Sequence, residues 1–193
     1  PRYITATRSA TSATAETCGT PTPEITRVVQ IDPGHVFLAQ VFRHLSDKQL
    51  ADIAARLAER RGKTFLIGGR FTDPLARYMA AHLAIIQPDV YHLAGQESIW
   101  RDRLIDMGKR DVLVIFDIRR YQESLVRFAE KAHERGVQIV LFTDQWLSPI
   151  SKAAKQVLAA PVVVPSMWGS SAGLLLLVQA LLSAMPAGLG PTA

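Results

Sequence analysis

The feature that most constrains the fold is an alternation of short apolar runs with amphipathic stretches, which begins at Lys63. Val112 to Phe116 contains no polar residue, which is typical of a strand buried on both faces of a sheet. Such an alternation predicts a parallel sheet with helices on both of its faces. The predicted strands are 64–67, 90–93, 112–116, 137–142 and 157–164, and the predicted helices are 74–87, 98–107, 121–135, 149–155 and 170–185.

The residues before Lys63 do not show this alternation. Residues 1–23 are rich in Thr, Ser and Ala, and residues 1–34 are predicted to form a disordered tail. Residues 35–62 are predicted to form two linker helices, the second beginning with a capping box of Ser46 and Gln49. The alternating pattern then predicts one domain over residues 63–186, followed by a short tail at 187–193.

The composition indicates which partners, which compartment and which cofactors to expect. The 22 Lys and Arg residues exceed the 17 Asp and Glu residues, which favours anionic partners, although a solvated basic surface explains the excess equally simply. The single Cys18 excludes an intramolecular disulfide and favours a reducing compartment, which we expect to be the cytoplasm. The apolar stretch from Gly173 to Met185 is shorter than the roughly 20 residues that cross a bilayer, so no membrane partner is expected. The five histidines lack metal-ligand spacing, so we expect no metal and no cofactor.

A candidate ligand site follows from the expected sheet. In open parallel sheets, ligands bind beyond the carboxyl ends of the strands where the strand order reverses, which in a flavodoxin-like order lies between the first and third strands. The loops there carry three arginines, and a guanidinium suits phosphate or carboxylate groups. The predicted ligand-binding residues are Gly68, Gly69, Arg70, Phe71, Thr72, Glu97, Asp117, Arg119, Arg120, Tyr121 and Gln122. The alternative is that the glycines only permit a tight turn and that the arginines are surface charges, or pair with Asp117 or Glu123.

These loops resemble those of the SIS (sugar isomerase) domain of RpiR/MurR-type bacterial transcription regulators, over roughly residues 63–185. The most specific part is the run of alanine, glycine, apolar strand, Thr143, Ser148-Pro149 and Ala153-Ala154 to Leu158. The resemblance implies a flavodoxin-like three-layer sandwich with a five-stranded parallel sheet. It also implies a homodimer or homotetramer and a domain that senses an effector without turning it over.

The chain departs from the family's pattern at the ligand loops. The family's first loop carries a glycine and a serine where Arg70 and Thr72 stand here, and its second loop carries hydroxyl residues that hold a sugar phosphate. Here that second loop contains Asp117, Arg119 and Arg120 instead. We therefore expect a small anionic metabolite, either a sugar phosphate or a related acid.

Two other functions stay open. An aldose–ketose isomerase of sugar phosphates would need a general base, for which Glu97 and His82 are the only candidates. A degenerate structural module would leave the site empty. Residues 46–61 superficially resemble the first helix of a helix-turn-helix, but a predicted strand follows them where a recognition helix should stand. We expect DNA to be contacted only through a helix-turn-helix domain that this sequence lacks, and self-association through residues 170–185 and 74–87.

Overall fold

The computed structural model describes residues 41, 45–59, 61–163 and 169–185. The predicted tails 1–34 and 187–193, and most of the first predicted linker helix, lie outside these residues. The domain boundaries predicted from the sequence therefore stay predictions.

The centre of the molecule is a parallel sheet with the order β2-β1-β3-β4-β5. Its strands are β1 (Thr64–Gly68), β2 (Val90–His92), β3 (Val112–Asp117), β4 (Gln138–Asp144) and β5 (Gln156–Ala160). All residues of β1 and β3 are buried, as expected for strands covered on both faces. The predicted α/β class and the flavodoxin-like strand order are both confirmed.

Helices cover both faces of the sheet. They are α1 (Asp47–Ala58), α2 (Asp73–Ile86), α3 (Glu97–Ile105), α4 (Glu123–Glu134) and α5 (Ala172–Ser183), with a short 3₁₀ helix over Pro149–Lys152. The buried side chains of α1, α2 and α5 form one apolar cluster with one face of the sheet. Those of α3, α4 and the 3₁₀ helix form a second cluster on the other face. The three-layer sandwich is therefore confirmed.

Several predicted boundaries were wrong by a few residues. The last strand ends at Ala160 and not at Val164, because its partner β4 ends at Asp144, which pairs with Ala160. The helix predicted from Tyr121 begins at Glu123. It ends at Glu134, one residue before the predicted end, and is followed by Gly136 with a φ of 81°, a conformation that favours glycine.

The predicted capping box at the start of α1 was wrong. The Ser46 side chain makes no capping hydrogen bond. The Gln49 side chain instead donates to the main-chain oxygen of Val157, at 3.0 Å, and to the side-chain oxygen of Gln156, at 3.3 Å. Because β5 is an edge strand, its outward carbonyl groups lack a neighbouring strand and can accept such a bond. Gln49 therefore ties α1 to the edge of the sheet.

The first loop, which joins β1 to α2, is closely packed. A Cβ atom at Gly68 would lie 2.5 Å from the main-chain nitrogen of Asp73, so only glycine fits there. The Thr72 hydroxyl donates to the main-chain oxygen of Phe116 at 2.6 Å and accepts from the Gly69 N–H at 2.9 Å. These bonds fix the loop against the end of β3.

The second loop, which joins β3 to α4, is held by the buried carboxylate of Asp117. That carboxylate accepts from the Ser148 hydroxyl at 2.5 Å and from the Gln122 N–H at 3.2 Å. Burial raises the pKa of Asp117 above its ordinary value, although both hydrogen bonds act in the opposite direction. The chain therefore supplies its own acceptor for the N–H group at the start of α4.

A second buried carboxylate, that of Asp144, holds the middle of the same loop. It accepts from the Arg119 N–H at 2.7 Å and from the Tyr121 hydroxyl at 2.8 Å. It also accepts from the Trp146 N–H at 3.1 Å. Asp144 is fully buried, and these three donors compensate the loss of its hydration. The loops after β3 and β4 are thereby joined to each other.

Replacing Gly68 with alanine is expected to lower the free energy of unfolding by roughly 1–3 kcal/mol, because the added methyl group meets main-chain atoms of α2. Gly69→Ala is the matched control, since the nearest atoms to its added Cβ would lie 3.6 Å away. The measurement is urea denaturation of both variants and the wild type. Equal stability of the two variants would contradict the close packing at Gly68.

The raised pKa of Asp117 predicts a pH dependence of stability. Because the folded state binds this proton more tightly than the unfolded state, the contribution is largest at low pH and is lost as the pH rises through the raised pKa. Asp117→Asn keeps an acceptor for Gln122 but cannot ionise. Urea denaturation from about pH 4 to about pH 7 should therefore show the wild type losing stability relative to Asp117→Asn. The prediction would be wrong if the difference in unfolding free energy between the two proteins did not change with pH. It would also be wrong if the wild type gained stability relative to Asp117→Asn as the pH rose.

Candidate functional site

A hollow of about 540 Å³ lies beyond the carboxyl ends of β1 and β2. It is lined by Gly68, Gly69, Arg70, Asp73, Leu93, Gly95, Gln96, Glu97, Trp100 and Gln122. The structure thus brings together five of the residues predicted from the sequence, which are Gly68, Gly69, Arg70, Glu97 and Gln122. These residues come from the loops that follow β1, β2 and β3, so the hollow is formed where those three loops pack together.

The hollow is displaced from the position that we predicted. We expected it between the first and third strands, but it opens mainly between the loops after β1 and β2, and the loop after β3 contributes only Gln122. The physical reason is the pair of buried carboxylates, because Asp117 and Asp144 hold the second loop by its main-chain N–H groups and bind it to the loop after β4.

The charges at the hollow are of both signs. The Arg70 guanidinium lies 5.3 Å from the centre of the exposed Phe71 ring, and no carboxylate of the described ranges lies within 4.0 Å of it. The exposed Glu97 likewise has no ion-pair partner among the described residues. The Asp73 carboxylate lies 2.8 Å from Nε2 of His92, the last residue of β2. Arg70 is therefore available to an anion, and Glu97 to a cation or a hydrogen-bond donor.

Three of the predicted ligand residues have structural contacts instead. Thr72 and Asp117 are buried, and their side chains hold the two loops as described above. The Tyr121 hydroxyl donates to Asp144, and burial together with that bond raises the pKa of Tyr121 to about 12. None of the three lines the hollow.

The other two predicted arginines lie outside the lining of the hollow. The Arg119 guanidinium stacks 4.5 Å from the ring centre of Trp146, which is 47% exposed and thus belongs to the surface. Arg120 is exposed. Neither arginine pairs with Asp117 or Glu123, since Glu123 pairs with Arg127. A role for Arg119 and Arg120 in ligand binding stays a prediction.

Five lining residues are not among the predicted ligand-binding residues, although the sequence did place Gly95 and Gln96 after the second strand at a possible rim of the pocket; the five are Asp73, Leu93, Gly95, Gln96 and Trp100. The predicted strand order placed the loop after β2 beside the first loop, and this signal could also have identified Trp100, one turn into α3. Trp100 is 7% exposed, and its indole N–H has no hydrogen-bond acceptor among the described residues.

Two other kinds of site are absent from the described ranges. They contain no group of three His, Cys, Asp or Glu side chains arranged to hold a metal ion. No helix within those ranges combines the length and the apolar character that crossing a membrane requires.

Three solved structures show what the fold is similar to. The sugar isomerase domain of an RpiR transcription factor from Sphaerobacter thermophilus has a TM-score of 0.71 at 21% identity, covering 84% of this chain and 89% of that one. NanR of Vibrio vulnificus, complexed with ManNAc-6P, has a TM-score of 0.66 at 19% identity, covering 84% of this chain but only 61% of its own. Protein MJ1247 of Methanococcus jannaschii, for which a 3-hexulose-6-phosphate isomerase function was inferred, has a TM-score of 0.59 at 15% identity, covering 83% and 88%.

At such identities the likeness establishes the fold alone. No curated protein matches the chain in sequence. The family is shown by the sequence itself, because the family model described as the SIS domain matches residues 56–184, which is most of the chain. These residues include the sheet, both loops and every residue that lines the hollow. The chain therefore belongs to the SIS domain family.

Proposed function

We propose that this chain is the effector-sensing and oligomerisation domain of an RpiR/MurR-type transcription regulator. In this proposal it binds a small anionic metabolite, a sugar phosphate or a related acid, without turning it over. The observation that carries the proposal is the Arg70 guanidinium, which lines a hollow formed by three loop ends and has no ion-pair partner in the described part of the chain.

The geometry around Arg70 supports an anion at this position. A guanidinium presents a planar set of donors that matches the oxygens of a phosphate or carboxylate. Gly69, which precedes Arg70 in the first loop, also lines the hollow. The second loop offers less, because Asp117 and Asp144 already accept from its N–H groups.

The similar structures support a regulatory role. The domain of the Sphaerobacter regulator and the chain of NanR share the fold, and NanR is complexed with ManNAc-6P. In a regulator of this kind, the ligand would shift an equilibrium between two arrangements of the domains and so alter DNA binding. DNA contact would come from a separate helix-turn-helix domain, and the regulator would act in the cytoplasm.

Self-association would use α2 and α5. Each helix exposes a large apolar side chain, which is Ile85 on α2, 65% exposed, and Leu175 on α5, 36% exposed. Apolar side chains in such positions are common at the interfaces of homo-oligomers. We propose a homodimer or a homotetramer.

A second candidate function is an isomerase that interconverts an aldose phosphate and a ketose phosphate. Glu97 favours it, because this carboxylate lines the hollow and could serve as a general base. His82, the other candidate base, packs against Tyr78 on α2 with 4.5 Å between ring centres and does not line the hollow. Conversion of a sugar phosphate at a measurable rate, with loss of that rate in Glu97→Gln, would decide for the isomerase. An empty structural module would neither bind nor convert any such compound.

A panel of sugar phosphates and organic acids, with ManNAc-6P among them, is expected to raise the melting temperature of the wild type. For any compound that does so, Arg70→Ala should weaken binding about ten- to a hundredfold, the effect of losing a charge-assisted hydrogen bond. Arg77→Ala is the control, because Arg77 is exposed on α2 away from the hollow. Calorimetry measures the affinities. Unchanged affinity in Arg70→Ala, or no response to the whole panel, would refute the proposed binding site.

The same panel tests the two remaining predicted arginines. If Arg119 and Arg120 bind ligand, the double variant Arg119→Ala plus Arg120→Ala should abolish the rise in melting temperature. Far-ultraviolet circular dichroism of the double variant shows whether the fold is retained. A full response in the double variant would restrict the anion site to Arg70 and the first loop.

A further inference from the structure

We propose that the edge of the sheet at which the strands begin, which we call the amino edge, binds the phosphate backbone of a double-stranded nucleic acid. This edge lies opposite the hollow described above, which opens where the strands end. The inference goes beyond the proposed function, in which a separate helix-turn-helix domain contacts DNA, because it assigns a contact with the backbone to the SIS domain itself.

The first observation is the position of the basic residues along the amino edge. Because the strands are all parallel, the segments that lead into them lie side by side at this edge. These segments carry Arg61 and Lys63 before β1, Lys109 and Arg110 before β3, Arg135 before β4, and Lys152 and Lys155 before β5. We call these residues the basic row. Since neighbouring strands are about 4.8 Å apart, the row extends over roughly 15 Å.

The second observation is that carboxylates do not neutralise the basic row. The acidic residues in the segments that lead into the strands are Glu59, Asp89, Asp106 and Asp111. Glu59 pairs with Arg56, and the buried Asp111 accepts from the main-chain N–H groups of Lys63 and Gly108, both at 2.8 Å. No carboxylate of the described residues lies within 4.0 Å of a charged group of the row. The row therefore offers positive charge to an anionic partner.

The third observation is that one member of the row already compensates the end of a helix. The Arg135 guanidinium donates to the main-chain oxygens of Ile105, at 2.9 Å, and Met107, at 3.3 Å, where α3 ends. The end of a helix carries a partial negative charge, which a cation stabilises. The exposed side chains of Lys109 and Arg110 make no such bond among the described residues, so they are available to a partner.

The centre of the basic row stands on closely packed main chain. A Cβ atom at Gly62 would lie 2.0 Å from the main-chain oxygen of Arg110, so the segments before β1 and β3 are in direct contact. A Cβ atom at Gly136 would lie 2.8 Å from Cγ of Lys109, so the stem of this lysine lies against the turn before β4. Since these contacts exist without a partner, little ordering of the main chain is needed for binding.

The composition of the amino edge favours a nucleic acid over an acidic protein. The described residues of the segments that lead into the strands expose no large apolar side chain. Protein interfaces depend on buried aromatic or apolar anchors, whereas the backbone of a nucleic acid is bound mainly through lysine and arginine. A strand of B-DNA carries one phosphate per roughly 3.4 Å along the helix axis, so a row of about 15 Å can reach about four phosphates.

The test is fluorescence anisotropy of a labelled DNA duplex of about 20 base pairs and arbitrary sequence, with the full chain at several salt concentrations. The affinity should fall as the salt concentration rises. Lys109→Ala plus Arg110→Ala should reduce the slope of log affinity against log salt by about 2, because each lost phosphate contact releases about one counterion fewer. Arg77→Ala plus Arg101→Ala removes the same charge from exposed positions on α2 and α3 and should leave the slope unchanged. Circular dichroism checks that both double variants fold.

Three results would overturn the inference. The first is an absence of salt-dependent binding to the duplex, and the second is an equal change of slope in the two double variants. The third uses polyglutamate as a probe: if it binds as tightly as the duplex and loses affinity in Lys109→Ala plus Arg110→Ala, the partner is an acidic protein surface. None of these results affects the proposed effector site, because Arg70 lies at the opposite edge of the sheet and is tested separately.

Discussion

The parallel pairing of β1 with β3 is the constraint on which the rest of the structure depends. The two strands pair in register from Thr64 with Val112 to Gly68 with Phe116, and every one of their residues is buried. Because both strands end at the same edge, the loops that follow them start side by side, and Thr72 can reach the carbonyl of Phe116. The first loop is thus held by the neighbouring strand, and Arg70 stands on a rigid support.

The second loop is organised by electrostatics and not by the sheet. Buried carboxylates are stable only where donors replace their lost hydration, and Asp117 and Asp144 obtain those donors from the loops around them. These carboxylates accept hydrogen bonds from main-chain N–H groups of the second loop, which are therefore not free to bind an anionic ligand. The same contacts draw the loop toward β4, which leaves the space for a ligand on the β2 side. The location of the hollow is therefore a consequence of two aspartates that lie outside its lining.

The strands and their order could be predicted from the sequence because burial on both faces leaves continuous apolar runs. Boundaries at Ala160 and Glu123 could not, since they depend on where a partner strand ends and on contacts between distant side chains. Gly68 and Arg70 were predictable as site residues because they lie at the end of a buried strand and just after it. The role of Asp144 was not predictable, because its contact with Arg119 joins residues that lie 25 positions apart.

The charged side chains at the loop ends explain how one fold can bind different ligands. In this family the sheet fixes where loop ends meet, and the similar structures include both regulators and a protein with an inferred isomerase function. The sheet does not fix which side chains stand at those ends, so the charge of the hollow can change without cost to the core. Here a guanidinium and a carboxylate line the same hollow, and neither has an ion-pair partner among the described residues. The charge of this hollow is therefore set by two exposed side chains, one in the first loop and one at the start of α3.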